Sequence, residues 1–241
     1  MSALRNPPAP VAEPPSAEDH RSRVARERRT RMRDRLVAAT RDVYGQCAGG
    51  RVPVIDDVIR AAKVSRGTFY KYFDSLDEVL TEIGHNAAND MLHSFDRLFS
   101  PLDDGAVMLA TGPLMALARA AMDPAHGVII SRADMVDRIS GDDPRRLLVY
   151  RSLNYGRDQG TFHFTSIEAA FDLVIGTSVE SARRISRTGQ LDGAFIREAV
   201  VMILLGLGMK ASAARTAVAT AWQQLQAASH DLHWWKPVHP V

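Results

Sequence analysis

An all-α fold is predicted by three observations. Apolar residues recur at spacings of three and four in segment after segment. No segment alternates convincingly with period two, and no repeat of fixed length appears. Ala, Leu, Val and Arg abound while aromatic residues make up only 7% of the chain, a composition that favours helix over sheet. The 241 residues suffice for one or two domains with a full core, and the 46% apolar content is ordinary for a globular protein.

Residues 1–20 are rich in Pro and Ala without an apolar period and are predicted to be disordered, as an extension reaching to about residue 24. The first helix is expected at about 27–47. There Met32, Leu36, Val37, Thr40, Val43, Tyr44 and Cys47 form one apolar stripe, and Gly49 and Gly50 end it. Pro53 is placed to open a second helix, with Asp56 and Asp57 in the first turn, where the helix dipole favours carboxylates. Val54, Ile55, Val58, Ile59 and Ala62 form its buried side. Lys63-Val64 make a tight turn, and Ser65 is an N-cap for a short third helix at about 66–72. Phe69 and Phe73, four apart, pack inward.

Ser75 with Glu78 three residues on is a capping box for a long fourth helix at 75–99. Further helices are expected near 105–122, 127–139, 144–158, 166–188, 192–208 and 211–228, punctuated by Gly141, Pro144, Gly160 and Gly189. The tail from Ser229, with Trp234 and Trp235, has no clear period and is free to fold back over the body.

Charge is lopsided. Residues 21–73 carry 14 Lys/Arg against 5 Asp/Glu, a net of +9, whereas the rest of the chain nets −7. A basic block on an acidic body points to a polyanionic partner, the alternative being a solvated Arg-rich helix face. Cys47 is the single cysteine, so no intrachain disulfide or cysteine-based zinc cluster is possible, which fits a reducing, cytoplasmic setting. No run approaches the about 18 apolar residues that span a membrane, and the N-terminus lacks a signal-peptide pattern, so no membrane partner is expected.

Catalysis is not expected either. No Gly-rich phosphate loop, nucleophile elbow or paired catalytic carboxylates emerge, and Asp142-Asp143 before Pro144 read as a helix cap. His85 and His93 are eight apart, too far for an i, i+4 metal pair, so neither a metal nor a cofactor is expected.

Residues 53–80 therefore read as two short helices joined by a tight turn, the second small, basic, aromatic and hydroxyl-bearing. That is the build of a helix-turn-helix meant for the DNA major groove. Leu36-Val37-Ala38-Ala39-Thr40, Val43-Tyr44, Val58, Ala62, the run Val64-Ser65-Arg66-Gly67-Thr68-Phe69-Tyr70-Lys71-Tyr72-Phe73 and Ser75-Leu76-Asp77-Glu78-Val79-Leu80 resemble, in order, the first four helices of TetR-family transcriptional regulators. The match covers about a fifth of the chain; the rest agrees in size and helicity alone. Three positions depart from the family pattern. Lys63 stands where glycine is usual in the turn, Leu76 where lysine is common, and Val54 where a capping threonine is common.

On this reading the DNA-binding residues are Ser65, Arg66, Gly67, Thr68, Tyr70, Lys71 and Tyr72. Arg66 and Lys71 are candidates for guanine edges, or for phosphate alone. Thr68 offers a hydroxyl to phosphate or a methyl to thymine, or serves only its own helix. Gly67 lets the backbone approach DNA. Tyr70 and Tyr72 contact phosphate or belong to the core. The arginines from Arg21 to Arg33 are candidates for a minor groove, or screen phosphate non-specifically.

The resemblance implies an N-terminal helix-turn-helix DNA-binding domain over 25–74 and a larger helical dimerisation and effector-binding domain over 75–241. Late helices, 166–188 and 192–208, would pair two copies. Phe171, Val174, Ile175, Val179 and Ala182 make one candidate stripe, and Val200, Ile203, Leu204 and Leu207 the other; both also read as ordinary core. Met91, Phe95, Met115, Met135, Tyr150, Asn154 and Phe171 are candidates to line an apolar effector pocket, with plain core as the alternative. The function implied is a homodimeric, ligand-responsive repressor on a pseudo-palindromic operator. The rivals are an architectural DNA-binding protein without effector and a helical enzyme.

Overall fold

The computed structural model describes residues 17–46, 51–99, 104–131, 144–189 and 192–236. Among them lie ten α-helices, one 3₁₀ turn and no strand, so the predicted all-α class is the observed one.

Helix α1 (Ala17–Gln46) starts some ten residues before the expected point, ahead of the arginine block, so residues 17–24 are helical and not part of a disordered extension. Arginine is a good helix former but leaves no apolar period to read, so propensity rather than pattern carries the extension. Helix α2 (Ile55–Ala62) opens after Pro53. Val54 has no oxygen to cap it. Asp57 reaches back instead and accepts the Val54 N–H at 3.0 Å, while Arg51 donates to the same carboxylate at 2.8 Å. These two contacts hold the Asp57 carboxyl below the usual carboxylate range.

Lys63 then takes φ 51°, ψ 49°, the left-handed conformation that the turn demands and glycine would adopt freely. Ser65 caps helix α3 (Arg66–Tyr70) by accepting the Thr68 N–H at 3.1 Å. Helix α4 (Leu76–Phe99) is capped by Ser75, which accepts the Glu78 N–H at 3.1 Å, while Glu78 accepts the Asp74 N–H at 2.7 Å.

Leu36, Tyr44, Val58, Phe69, Phe73, Val79, Leu80 and Ile83 are buried together as the core of a small head made by α1 to α3 and the start of α4. The body is built on α5 (Gly105–Met122), almost wholly buried and capped by Asp104. Its length and apolarity would suit a membrane span, but its burial makes it the central core helix. Around it lie α6 (Pro124–Ile130), α7 (Pro144–Asp158), α8 (Ile167–Thr188), α9 (Gly193–Gly206) and α10 (Ala211–Ala227). The tail folds back, burying Leu232 and Trp234. Of the helix expected at 127–139, α6 accounts for the first residues; 132–143 lie outside the described residues, as does Cys47.

One expectation changes character. Val174, Phe171 and Ala182 of α8, and Val200, Ile203, Leu204 and Leu207 of α9, are buried within the single chain. These residues are part of the body's own core, while Ile175 and Val179 of the α8 stripe are only half-buried. What α9 leaves at the surface is another face, with Met202 exposed and Phe195, Ala199 and Leu205 half-buried beside it.

Candidate nucleic-acid interface and the cavity behind it

The turn and its cap orient α3 so that Phe69 points into the head and its neighbours point out. Ser65, Arg66, Gly67, Tyr70 and Lys71 are exposed, and Thr68 and Tyr72 half-buried. The geometry sorts the open alternatives. The Thr68 hydroxyl lies 2.9 Å from that of Ser65, so both serve the helix start. Tyr70 packs edge-on against Phe69 with the residue still 46% exposed, leaving the phenol within reach of a ligand. Tyr72 is tied to the head: Arg29 lies over its ring at 5.7 Å, and its carbonyl accepts from Arg33 at 2.8 Å. Arg66 stands 3.4 Å from Asp56, an exposed pair that water screens and a phosphate or base can displace.

The arginine block divides. Arg33 is removed from the candidates for a groove: it donates to Glu82 at 2.8 Å and stacks on Phe73 at 4.1 Å, bolting α1 to α4. Burial would lower its pKa, but the Glu82 and Glu78 carboxylates outweigh this and raise it. Arg26, Arg28, Arg29 and Arg31 are exposed along α1, with Arg31 only loosely paired to Glu27 at 3.9 Å. A rigid helix cannot thread a minor groove as an extended arm does. It presents these cations beside Tyr72 and the end of α3.

Behind the head, α4 continues into the body and walls a cavity of about 160 Å³. Ala88, Met91, Leu92 and Phe95 of α4 face Gly112, Pro113, Met115 and Ala116 of α5. Leu148 and Val149 of α7 and Val174, Ile175 and Ser178 of α8 line its other side, leaving it partly open. Of the seven expected lining residues, Met91, Phe95 and Met115 are there. Tyr150 and Phe171 instead stack on each other, centroids 5.0 Å apart, with the Arg146 guanidinium over both rings. Asn154 accepts from Arg157 at 2.8 Å and takes no part, and Met135 lies outside the described residues. The legible signal that sequence reasoning passed over is Gly112-Pro113 inside α5. A proline in mid-helix forfeits a backbone hydrogen bond, and the adjoining glycine leaves space that a side chain would fill.

Head and body are joined by α6, whose Ile129 belongs to the head core. Arg41 of α1 donates to Asp123 at 2.5 Å, and Asp123 caps α6 through the His126 N–H at 3.1 Å. Burial would raise the Asp123 carboxyl, but that N–H and the Arg41 charge hold it below its ordinary value. Nearby, Arg119 is buried and donates to Asp90 of α4 at 2.7 Å. Burial lowers the Arg119 pKa, against the pull of Asp90. His126, fully enclosed, is pushed down to about 3, first by burial and then by the Arg119 charge, and so stays neutral.

No family model and no curated protein sequence matches the chain. Solved structures do. RolR in complex with the ligand resorcinol superposes with a TM-score of 0.64 at 18% identity, over 80% of this chain and 95% of that one. RolR without ligand gives 0.57 at 18% identity, over 77% and 96% of the two chains. A gamma-butyrolactone receptor, an ArpA-like protein, gives 0.55 at 14% identity, over 83% and 98%. Identities this low speak for the fold, and with the ordered resemblance over residues 35–80 they fix it: the chain has the fold of the TetR-type regulators.

Proposed function

We propose that this chain is a DNA-binding transcriptional repressor, acting as a homodimer on a pseudo-palindromic operator and released by a small, largely apolar effector. The carrying observation is that one helix serves both ends. Val79, Leu80 and Ile83 of α4 are packed in the head core, and two to three turns on its Met91 and Phe95 wall the cavity. A ligand that prefers a shifted α4 biases the placement of α3, and only such a differential preference moves the equilibrium. Binding of a small ligand by one neighbour of this fold supports the reading. A short recognition helix reads few base pairs, so two-fold pairing supplies the remaining specificity. The paired surface is the outer face of α8 and α9 around Met202, since the inner stripes are already used.

Selection from a random duplex library at about physiological salt tests the reading. The expected yield is a two-fold symmetric site bound by a dimer, with the logarithm of affinity falling steeply against log salt. Arg66→Ala should flatten the preference at one base position by about tenfold, whereas Arg26→Ala should weaken all duplexes alike and reduce the salt slope by about one. Recovery of no preferred site from a chain that stays monomeric would defeat the proposal.

A further inference from the structure

The cavity walled by α4, α5, α7 and α8 is the effector site of the function proposed above, and its walls also specify the effector's chemistry, an inference that rests on that reading. Among the described residues none of those lining it is charged. The charged and polar groups nearby, Asn89, His93, Asp96 and Arg151, line a separate surface recess that shares only Leu92 and Leu148 with it. An ion entering the apolar cavity would give up its hydration and find no partner. The cavity's 160 Å³ is a size at which apolar protein cavities take up a single benzene ring. Phe95, Met91 and Met115 on the walls favour an aromatic ring, through edge contacts and polarizable sulfur. Among the described residues one lining hydroxyl remains. Ser178 Oγ donates its proton to the Val174 carbonyl at 2.7 Å, so toward the cavity it can only accept.

We infer that the effector is an uncharged, single-ring aromatic molecule carrying one hydrogen-bond donor that Ser178 accepts. Phenol is the smallest probe of that class. Titration calorimetry on the full chain should show saturable binding of phenol, about three- to tenfold weaker binding of benzene, and none of benzoate or 2-naphthol. Ser178→Ala should erase the difference between phenol and benzene. Gly112→Leu should abolish phenol binding, because a Cβ built at that position meets no atom within 4 Å and the side chain grows into open space. Its melting temperature should hold or rise, glycine being the poorer residue in mid-helix. Benzoate binding as tightly as phenol, phenol surviving in a folded Gly112→Leu variant, or no single-ring compound binding at all would each overturn the inference. Duplex binding measured on the same preparation separates the two ideas. Duplex bound and phenol ignored removes this effector class alone; phenol bound and duplexes ignored removes the regulator and leaves the site.

Discussion

The head and the cavity achieve binding in opposite ways. In the head, Phe69, Phe73 and Val58 belong to a filled apolar interior, and the charged and hydrogen-bonding groups of α3 and the arginines of α1 stand outside it. In the body the useful feature is a hollow, and its surroundings are chemically plain. A polyanion is recognised by what the surface adds, charge and donors at fixed spacing. A small apolar ligand is recognised by what the interior omits. The two surfaces also differ in what mutation does to them. Removing an exposed arginine leaves the head folded and changes binding, whereas removing a head core residue removes the platform on which every exposed group depends.

That contrast is broken most directly in the two interiors. Phe69→Ala should cost about 3–5 kcal/mol, since the ring is fully buried and its neighbours cannot collapse into the space. Met91→Ala, on a wall that already faces a void, should fall at the bottom of the range for such truncations, about 2 kcal/mol. Urea unfolding of both variants at neutral pH decides it. Equal losses would mean that the wall is as tightly packed as the head core.

A second effect belongs to the joint between the regions. His126 titrates at about 3 when folded and near 6.5 when unfolded. Between those values the unfolded chain binds a proton that the folded chain refuses, so stability must fall as pH drops below about 6.5. From pH 6.5 to 5 the loss from this one group is about 1.5 kcal/mol. Asp123, whose pKa is lowered, keeps its contribution above the ordinary Asp range and loses it only in stronger acid, outside this window. His126→Phe should therefore flatten the dependence of the urea midpoint on pH between 6.5 and 5. A slope identical to that of the native chain would place the ring in solvent contact.

Legibility follows the same division. The Ser65 cap and the inward Phe69 and Phe73 are local consequences of spacing and turn chemistry, and a single sequence states them; the special backbone at Lys63 is signalled only by the resemblance, which places glycine there. The early start of α1 is not stated, because Arg-rich helix without an apolar stripe looks like any charged segment. Periodicity correctly marked Val174 and Val200 as buried but could not say against what; they face their own chain. The cavity was half legible. Met91, Phe95 and Met115, named for the pocket on the resemblance, do line it, but Tyr150 and Phe171 satisfy each other by stacking. A void is a property of atoms missing from several helices at once, and of those only Gly112-Pro113 leaves a mark in the sequence.

The smallest expected effect sharpens the comparison at the turn itself. Lys63 holds its left-handed backbone at a cost of about 1 kcal/mol, yet its side chain is exposed on the basic head. The Lys63 N–H bond to the Arg60 carbonyl at 3.2 Å and the Val64 N–H bond to Ile59 at 3.1 Å belong to the backbone, so glycine would keep both. Lys63→Gly should then raise stability by no more than about 0.5 kcal/mol, the relief of strain being largely offset by the added freedom of the unfolded chain. If the ammonium also meets a phosphate, the same change lowers duplex affinity equally for all sequences and reduces the salt slope by about one. Lys63→Asn separates the two contributions, because asparagine tolerates the left-handed region without carrying charge. A more stable Lys63→Gly chain with undiminished duplex binding would show that the lysine serves neither the turn nor DNA. Stability gained together with affinity lost would show a strained backbone retained at the one place in the turn where a charge is useful.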